Sequence, residues 1–410
     1  MTGGNKIEKS LFELIQVAVG NQSALSSVPT QQEWQQLYGL LSKHTLLGIG
    51  HVAIQKLPQE QWPPKMLVLK WTSVATAISH QNKTLNEECK SLCEEFRHDG
   101  VSSVVIKGQS NLENYPEELR WYRTPGDIDL WCQARNGVEI GEMVNGEVVK
   151  SEFHGIAGVI EYCKQYERCR GRDIPWHRVL FYHCELKSDN GIAVEPHYHI
   201  SYLHSPIRNY RLQKWFKNQF DVCLKNNCQL GFPVLTPSVN VVYQLVHLYR
   251  HVFEGGIGLR QLMDYYFALR VWHNDVMECK DLQSQGMWSE GLGTPVLSKE
   301  EVMSVFRSFG MAKFVGAVMW VLNEVFSMPT HYYICESNEK EGKKLLEEIM
   351  KGGNFGQYDT RDAALKNGGM MKHGVWKLKR VMRLVRCYPE EALWEPVFRV
   401  WHLGWRMIHG

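Results

Sequence analysis

Residues Arg123-Thr124-Pro125-Gly126-Asp127-Ile128-Asp129-Leu130-Trp131 place two carboxylates one residue apart, after a Pro-Gly turn and inside an apolar run. In a strand, residues i and i+2 point to the same face. Asp127 and Asp129 would then project side by side, with Ile128 and Leu130 on the opposite face. Two like charges this close repel unless a cation lies between them. A hard divalent ion, Mg²⁺ or Mn²⁺, meets that need and also takes substrate phosphates as ligands. The chemistry implied is metal-dependent phosphoryl or nucleotidyl transfer. An Asp-x-Asp pair is also a common feature of solvated turns and strand edges, and the motif alone leaves both readings open.

Two neighbouring stretches bear on that choice. Upstream, Val101-Ser102-Ser103-Val104-Val105-Ile106-Lys107-Gly108 is a β-branched run ending in Lys-Gly. It predicts a buried strand that turns into a helix. Gly108 would let backbone N–H groups approach an anion, and Lys107 would add a point charge. A strand ending at a Gly turn with a solvated lysine is the plainer alternative. Downstream, Phe181 to Lys187 and Gly191 to Tyr198 predict two strands joined by a Ser188-Asp189-Asn190-Gly191 turn. Glu195, after a short apolar run, would reach the sheet face as a third carboxylate or serve as a cross-strand partner of a Lys or Arg.

The order strand–Lys-Gly–helix, Arg…Gly-Asp-x-Asp-Leu and a hairpin ending in Val-Glu-x-His resembles the uncharacterised bacterial nucleotidyltransferases of polymerase-β type, nucleotidyltransferase family 5. The resemblance extends to Leu245-Val246-His247-Leu248-Tyr249-Arg250-His251 and to Arg260-Gln261-Leu262-Met263-Asp264. It also takes in Gly352-Gly353-Asn354-Phe355-Gly356 and Tyr388-Pro389-Glu390-Glu391-Ala392-Leu393-Trp394. It implies an α+β fold, with a small mixed β-sheet core flanked by N-terminal and C-terminal helical regions. It further implies transfer of an NMP from an NTP such as ATP to an acceptor hydroxyl of unidentified kind. Asp127, Asp129 and Glu195 would hold one or two Mg²⁺ or Mn²⁺ ions, with Glu195 either completing an ion's shell or taking the acceptor's proton. Lys107 and Gly108 would hold the triphosphate.

The chain departs from better-studied polymerase-β-like transferases in two ways. Lys107-Gly108-Gln109-Ser110 stands where those carry Gly-Ser, and the spacer to Asp127 is longer. Arg120 and Arg123 in that spacer would assist by binding phosphate bidentately, or would pair with Glu117, Glu118 or the aspartates. The missing Gly-Ser supports an alternative function, a catalytically silent nucleotide-binding or scaffold protein linked to surface polysaccharide synthesis. Three clustered carboxylates are costly without a metal, which favours the enzyme. His197 would orient Glu195, contact the acceptor or pair with a strand carbonyl. Asp264 would form an i,i+4 ion pair with Arg260 or face substrate.

Composition narrows the partners. Across 410 residues, 44% hydrophobic and 22% charged content is ordinary for a globular protein. Lys plus Arg number 46 against 44 Asp plus Glu, which argues against a bulk electrostatic nucleic-acid binder. The 11 cysteines include no Cys-x-x-Cys, so they read as reduced thiols in a cytoplasmic protein. The N-terminus shows no apolar signal-peptide core. The most apolar window, Phe314 to Leu322, is interrupted by Asn323 and Glu324 too early for a membrane span of roughly 20 residues.

Three regions are expected to position the site. Residues 1–98 are helical, with Thr30 as an N-cap, Glu33 in the following turn and a long helix from about Lys65 to Arg97. Residues 99–205 form the nucleotidyltransferase-like core, with a hairpin around Asn145-Gly146 and a helix near Gly158 to Cys169. Residues 206–410 are helical, with Pro237 opening an apolar helix, and would close over the site and select the acceptor. His247 and His251 share a helix face as a partly buried pair. In the basic segment Lys372 to Arg386, Val375, Leu378, Val381, Met382 and Val385 recur at helical spacing, which predicts a packed helix with an outer charged face in preference to a membrane or RNA surface.

Overall fold

Thr30 opens its helix by the reciprocal cap that its spacing to Glu33 implies. In the computed structural model the Thr30 hydroxyl accepts from the Glu33 N–H, and the Glu33 carboxylate accepts from the Thr30 N–H, ahead of the helix Gln31–Lys43. The structure describes residues 3–144, 147–284, 296–361, 363–366 and 369–409. The fold is mixed α+β: a four-stranded mixed sheet and a two-stranded ribbon, with helices making up most of the remainder.

The chain divides into two compact units that interleave in sequence. One comprises Met1–Lys83, Asn114–Pro125 and Gln244–Cys387; the other comprises Thr84–Glu113, Gly126–Tyr243 and Tyr388–Gly410.

The regular elements described in the first unit are helical. Gly3–Ala18 packs on Leu47–Lys56 and on Ala312–Phe326. The latter contains the most apolar window of the chain and is buried nearly all round, which is what an apolar circumference requires. Trp71 stands edge-on to both Trp34 and Tyr38, and its indole N–H donates to the Leu47 carbonyl at 2.7 Å. Among the described residues no helix is long and apolar enough to cross a membrane.

The helix Met370–Leu384 corrects one expectation. Val381 is buried, but Val375, Leu378 and Met382 are exposed. Trp376 and Arg380 turn inward instead. The Arg380 guanidinium donates twice to the Val252 carbonyl, at 3.1 and 2.7 Å, near the C-terminal end of Pro237–Glu254. Carbonyls in a last helical turn lack intrahelical donors, so a buried arginine there rotates the helix away from its apolar stripe.

The second unit carries the strands β1 (Ser102–Val105), β2 (Ile128–Gln133), β3 (Val138–Val144), β4 (Glu147–Phe153), β5 (Leu186–Lys187) and β6 (Ala193–His197). The main sheet has the order β1-β2-β6-β5. β1 is antiparallel to β2, β2 is parallel to β6, and β5 is antiparallel to β6. β3 and β4 form the ribbon; the expected Asn145-Gly146 turn lies outside the described residues. The helix Gly155–Arg168 packs on β2 and β3. Trp131 is held edge-on by Phe220 and Phe216, with ring centres 4.8 and 6.2 Å away.

Two local differences matter for the site. The segment after Lys107 is a 3₁₀ helix, Gly108–Asn114, and not an α-helix. Gly108 enters it in the left-handed region at φ +58°, a tight turn that an α-helical entry would not make. The strand expected over residues 181–187 pairs regularly only at Leu186–Lys187, and His183 rejoins the ladder as an isolated bridge to His197. The turn between β5 and β6 closes as expected, with the Ser188 N–H donating to Ile192 at 2.9 Å and the Gly191 N–H to Ser188 at 3.0 Å.

Candidate active site

Asp129 on β2 lies directly opposite Glu195 on β6. Opposed residues of neighbouring strands share a sheet face, so the two carboxylates point the same way. Asp127 sits two residues before Asp129, just ahead of the strand. Ligand oxygens of Asp127, Asp129 and Glu195 all lie within 4.8 Å of one another. Three residues drawn from two distant parts of the sequence thus converge.

Asp129 is 1% exposed, and its Oδ2 is buried with no hydrogen-bond partner. An unsatisfied buried oxygen of this kind costs about 1–3 kcal/mol. A divalent cation would satisfy it. The all-oxygen donor set suits Mg²⁺ or Mn²⁺, so the residues present fit the ion that the sequence implies.

Lys107 follows β1 and reaches the same place. Its Nζ lies 2.7 Å from Asp129 Oδ1 and 3.9 Å from Glu195 Oε2. Burial pushes the ammonium down, but Asp129, Asp127 and Glu195 outweigh it and hold the lysine well above its ordinary range. Gly108 gives close backbone approach: a Cβ there would lie 3.3 Å from the Asp127 carbonyl oxygen.

Two imidazoles complete the cluster. His197 Nε2 lies 3.0 Å from Asp129 Oδ1 and 3.3 Å from Glu195 Oε2. His183 Nδ1 lies 3.7 Å from the same glutamate oxygen. Burial pushes the Glu195 carboxyl up, yet His183, Lys107 and the hydrogen bond from His197 together hold it below the usual carboxylate range. Glu195 is therefore ionised at neutral pH.

Sequence reasoning missed His183. The signal was present in the hairpin register: Leu186 faces Val194, and carrying that register outward brings His183 opposite His197.

Arg120, Arg123 and Asp264 belong to the helical unit. Arg123 is buried and grips Asp264 with both prongs, Nε to Oδ1 at 2.6 Å and Nη2 to Oδ2 at 2.7 Å. The Tyr115 hydroxyl donates to Asp264 Oδ1 at 2.7 Å. Arg260 Nη1 donates to the Thr124 carbonyl at 2.8 Å. Asp264 thus receives an arginine 141 residues away, a partner not considered among its expected ones. Arg120 is half-buried. The His247 and His251 rings meet at 4.3 Å, and His251 Nδ1 lies 3.0 Å from Glu254.

A cavity of about 510 Å³ opens beside the carboxylates' strands, lined by Trp131, Gln133, Arg135, His199, Gln213 and Phe216 among others. Trp131 and Gln133 alternate with their β2 neighbours onto the face that carries Asp129.

A small mixed sheet thus gathers three carboxylates and a lysine on one face, in an arrangement able to hold a metal ion. A family model described as an uncharacterised nucleotidyltransferase matches residues 30–286, and the chain belongs to that family. Comparison with curated proteins and with solved structures gives no match.

Proposed function

We propose that this protein is a metal-dependent nucleotidyltransferase that moves an NMP from an NTP to an acceptor hydroxyl. The observation that carries the reading is the convergence of Asp127, Asp129 and Glu195, with a buried Asp129 oxygen left unpaired. The three carboxylates would hold Mg²⁺ or Mn²⁺, which supplies charge neutralisation on the phosphates and on the developing transition state.

The chain's own residues set up the rest. Lys107 holds its charge at the carboxylate face and, turned toward substrate, places an ammonium on the triphosphate. Gly108 leaves its backbone open beside Asp127. In the reaction the acceptor oxygen bonds to the α-phosphorus, the bond from that phosphorus to the bridging oxygen breaks, and pyrophosphate leaves. A carboxylate held below its ordinary range is a weak proton acceptor, so Glu195 suits a ligand role better than that of a general base, and the hydroxyl proton passes to water. The cavity beside Trp131 and Gln133 offers ring faces and amide groups for the base or the acceptor. Cytoplasmic location is part of the same reading; all 11 cysteines are free thiols.

A second reading has its own support. With Lys107 Nζ 2.7 Å from Asp129, the ammonium itself neutralises the acidic cluster, as a nucleotide-sensing or scaffold protein without turnover would require. Calorimetry of ATP, GTP, CTP and UTP with and without Mg²⁺, on wild type, Asp127→Asn and Asp129→Asn, tests the site. Binding that needs the ion and both aspartates is the expected result. Pyrophosphate release then separates turnover from sensing. Absence of Mg²⁺-dependent binding to every NTP overturns the transferase and the nucleotide sensor and favours the scaffold.

A further inference from the structure

His183, Glu195 and His197 make a second donor set, distinct in chemistry from the three carboxylates. One ligand atom from each of the three lies within 4.8 Å of the others. The placement follows from strand register. Glu195 and His197 are two residues apart on β6 and share its face, while His183 is bridged directly across from His197. The imidazole centres are 4.8 Å apart, with ring planes inclined at 51°. Both rings are buried, at 3% and 1% exposure, so neither is a surface histidine that happens to lie near an acid.

His197 meets Glu195 Oε2 through Nε2, at 3.3 Å, and leaves its other ring nitrogen unpaired. Its Nδ1 is buried with no hydrogen-bond partner, while Nε2 lies 3.0 Å from Asp129 Oδ1. In the tautomer that carries its proton on Nε2, the ring donates to Asp129 and presents a bare lone pair at Nδ1. That carboxylate–histidine arrangement is the one that orients and strengthens metal-binding imidazoles. Mg²⁺ and Ca²⁺ take oxygen ligands, whereas two imidazoles with one carboxylate suit borderline ions such as Mn²⁺, Fe²⁺, Co²⁺ and Zn²⁺.

We propose that His183, Glu195 and His197 bind a first-row transition-metal dication at a position separate from the carboxylate triad and sharing Glu195 with it. A carboxylate shared between two ions is how paired metal sites are held close. The inference deepens the proposed function by adding a nitrogen-ligated metal to the same sheet face; it shares Glu195 with that reading as a ligand, and Asp129 as the carboxylate that orients His197. Asp127 belongs to the oxygen site alone, and His183 to the nitrogen site alone.

Co²⁺ is the probe, titrated into tag-free, metal-stripped, full-length protein and followed by its visible d–d absorption. X-ray absorption on the saturated wild-type complex reports coordinated imidazole by its ring scattering. The expected result is one Co²⁺ bound with imidazole in its shell and not displaced by a large excess of Mg²⁺. His183→Gln and His197→Gln should each weaken Co²⁺ by about tenfold or more. Asp127→Asn should leave Co²⁺ binding near the wild-type level while losing Mg²⁺-dependent NTP binding. Thermal melting of each variant without metal checks that it is folded. Wild-type protein that binds no Co²⁺, or binds it without imidazole scattering, overturns the proposal, and this readout needs no variant. A folded His183→Gln that binds Co²⁺ as tightly as wild type overturns it as well. If NTP binding fails while the imidazole-ligated Co²⁺ remains, the nucleotidyltransferase reading falls and this site stands.

Discussion

Arg123 and Asp264, 141 residues apart, hold each other in a buried two-pronged ion pair that Tyr115 completes with a third hydrogen bond. The pair fixes the segment Asn114–Pro125 within the helical unit. Breaking it from one side leaves an uncompensated buried charge, which costs about 3–5 kcal/mol. We therefore expect Arg123→Met and Asp264→Asn each to lower unfolding free energy by that order in urea titrations. The double variant Arg123→Met/Asp264→Asn should lose clearly less than the sum of its two single changes, because both charges are removed together. Additive losses would show that the two side chains do not act as a pair.

Lys107 stands beside the carboxylates as an internal cation, 2.7 Å from Asp129. Lys107→Met removes the ammonium and leaves Asp129 facing Glu195 and Asp127. Without metal, the variant should lose about 1.5–3 kcal/mol, the usual worth of a hydrogen bond between charged groups, while Asp129 Oδ1 keeps its contact with His197. Added Mg²⁺ or Mn²⁺ should then stabilise Lys107→Met more than wild type, since the ion no longer competes with the lysine. Thermal unfolding with and without the ion measures this. Equal metal-induced shifts in the two proteins would mean that lysine and ion do not share the carboxylates.

Much of the site was legible in the sequence because its logic is local. The i,i+2 spacing of Asp127 and Asp129, the β-branched run before Lys107 and the Ser188–Gly191 turn each act over a few residues. The hairpin then carries Glu195 to the sheet. The Thr30–Glu33 cap was readable for the same reason. Asp264 was not, because its arginine comes from 141 residues away and no periodicity encodes that contact. His183 was hidden inside a stretch read as uniform strand, although the turn fixes the register that sets it against His197. The apolar stripe of Met370–Leu384 misled because a buried arginine bound to Val252 overrode the hydrophobic pattern.

Gly108 sits at φ +58°, where a side chain costs roughly 1–2 kcal/mol. A Cβ there would also press on the Asp127 carbonyl at 3.3 Å, so the strain falls on a site residue. Gly108→Ala should lower stability by that order and weaken Mg²⁺-dependent NTP binding. Gly108→Asn should be milder in stability, since asparagine tolerates the left-handed region better than alanine. Denaturant titration and calorimetry of both variants check the ranking. Alanine performing as well as asparagine would place the cost in lost space and not in backbone conformation.

His44 ties stability to pH in the helical unit. It is fully buried, its Nδ1 accepts from the Leu259 N–H at 3.4 Å, and its Nε2 has no hydrogen-bond partner. Burial, with a smaller contribution from the Lys43 charge, lowers the imidazole from 6.5 to about 3. Between those two values the unfolded chain binds a proton that the folded chain refuses, so stability rises with pH across that window. The contribution is complete above pH 6.5 and is lost progressively as pH falls toward about 3, by about 1.4 kcal/mol per pH unit for the single group. His199, lowered to about 4 by its own burial, acts in the same direction in the sheet-bearing unit. His44→Gln removes the titration, so urea unfolding measured from pH 7 down to about pH 4 should show a shallower acid-side slope than wild type. An unchanged slope would mean that the His44 proton is not what the folded state excludes.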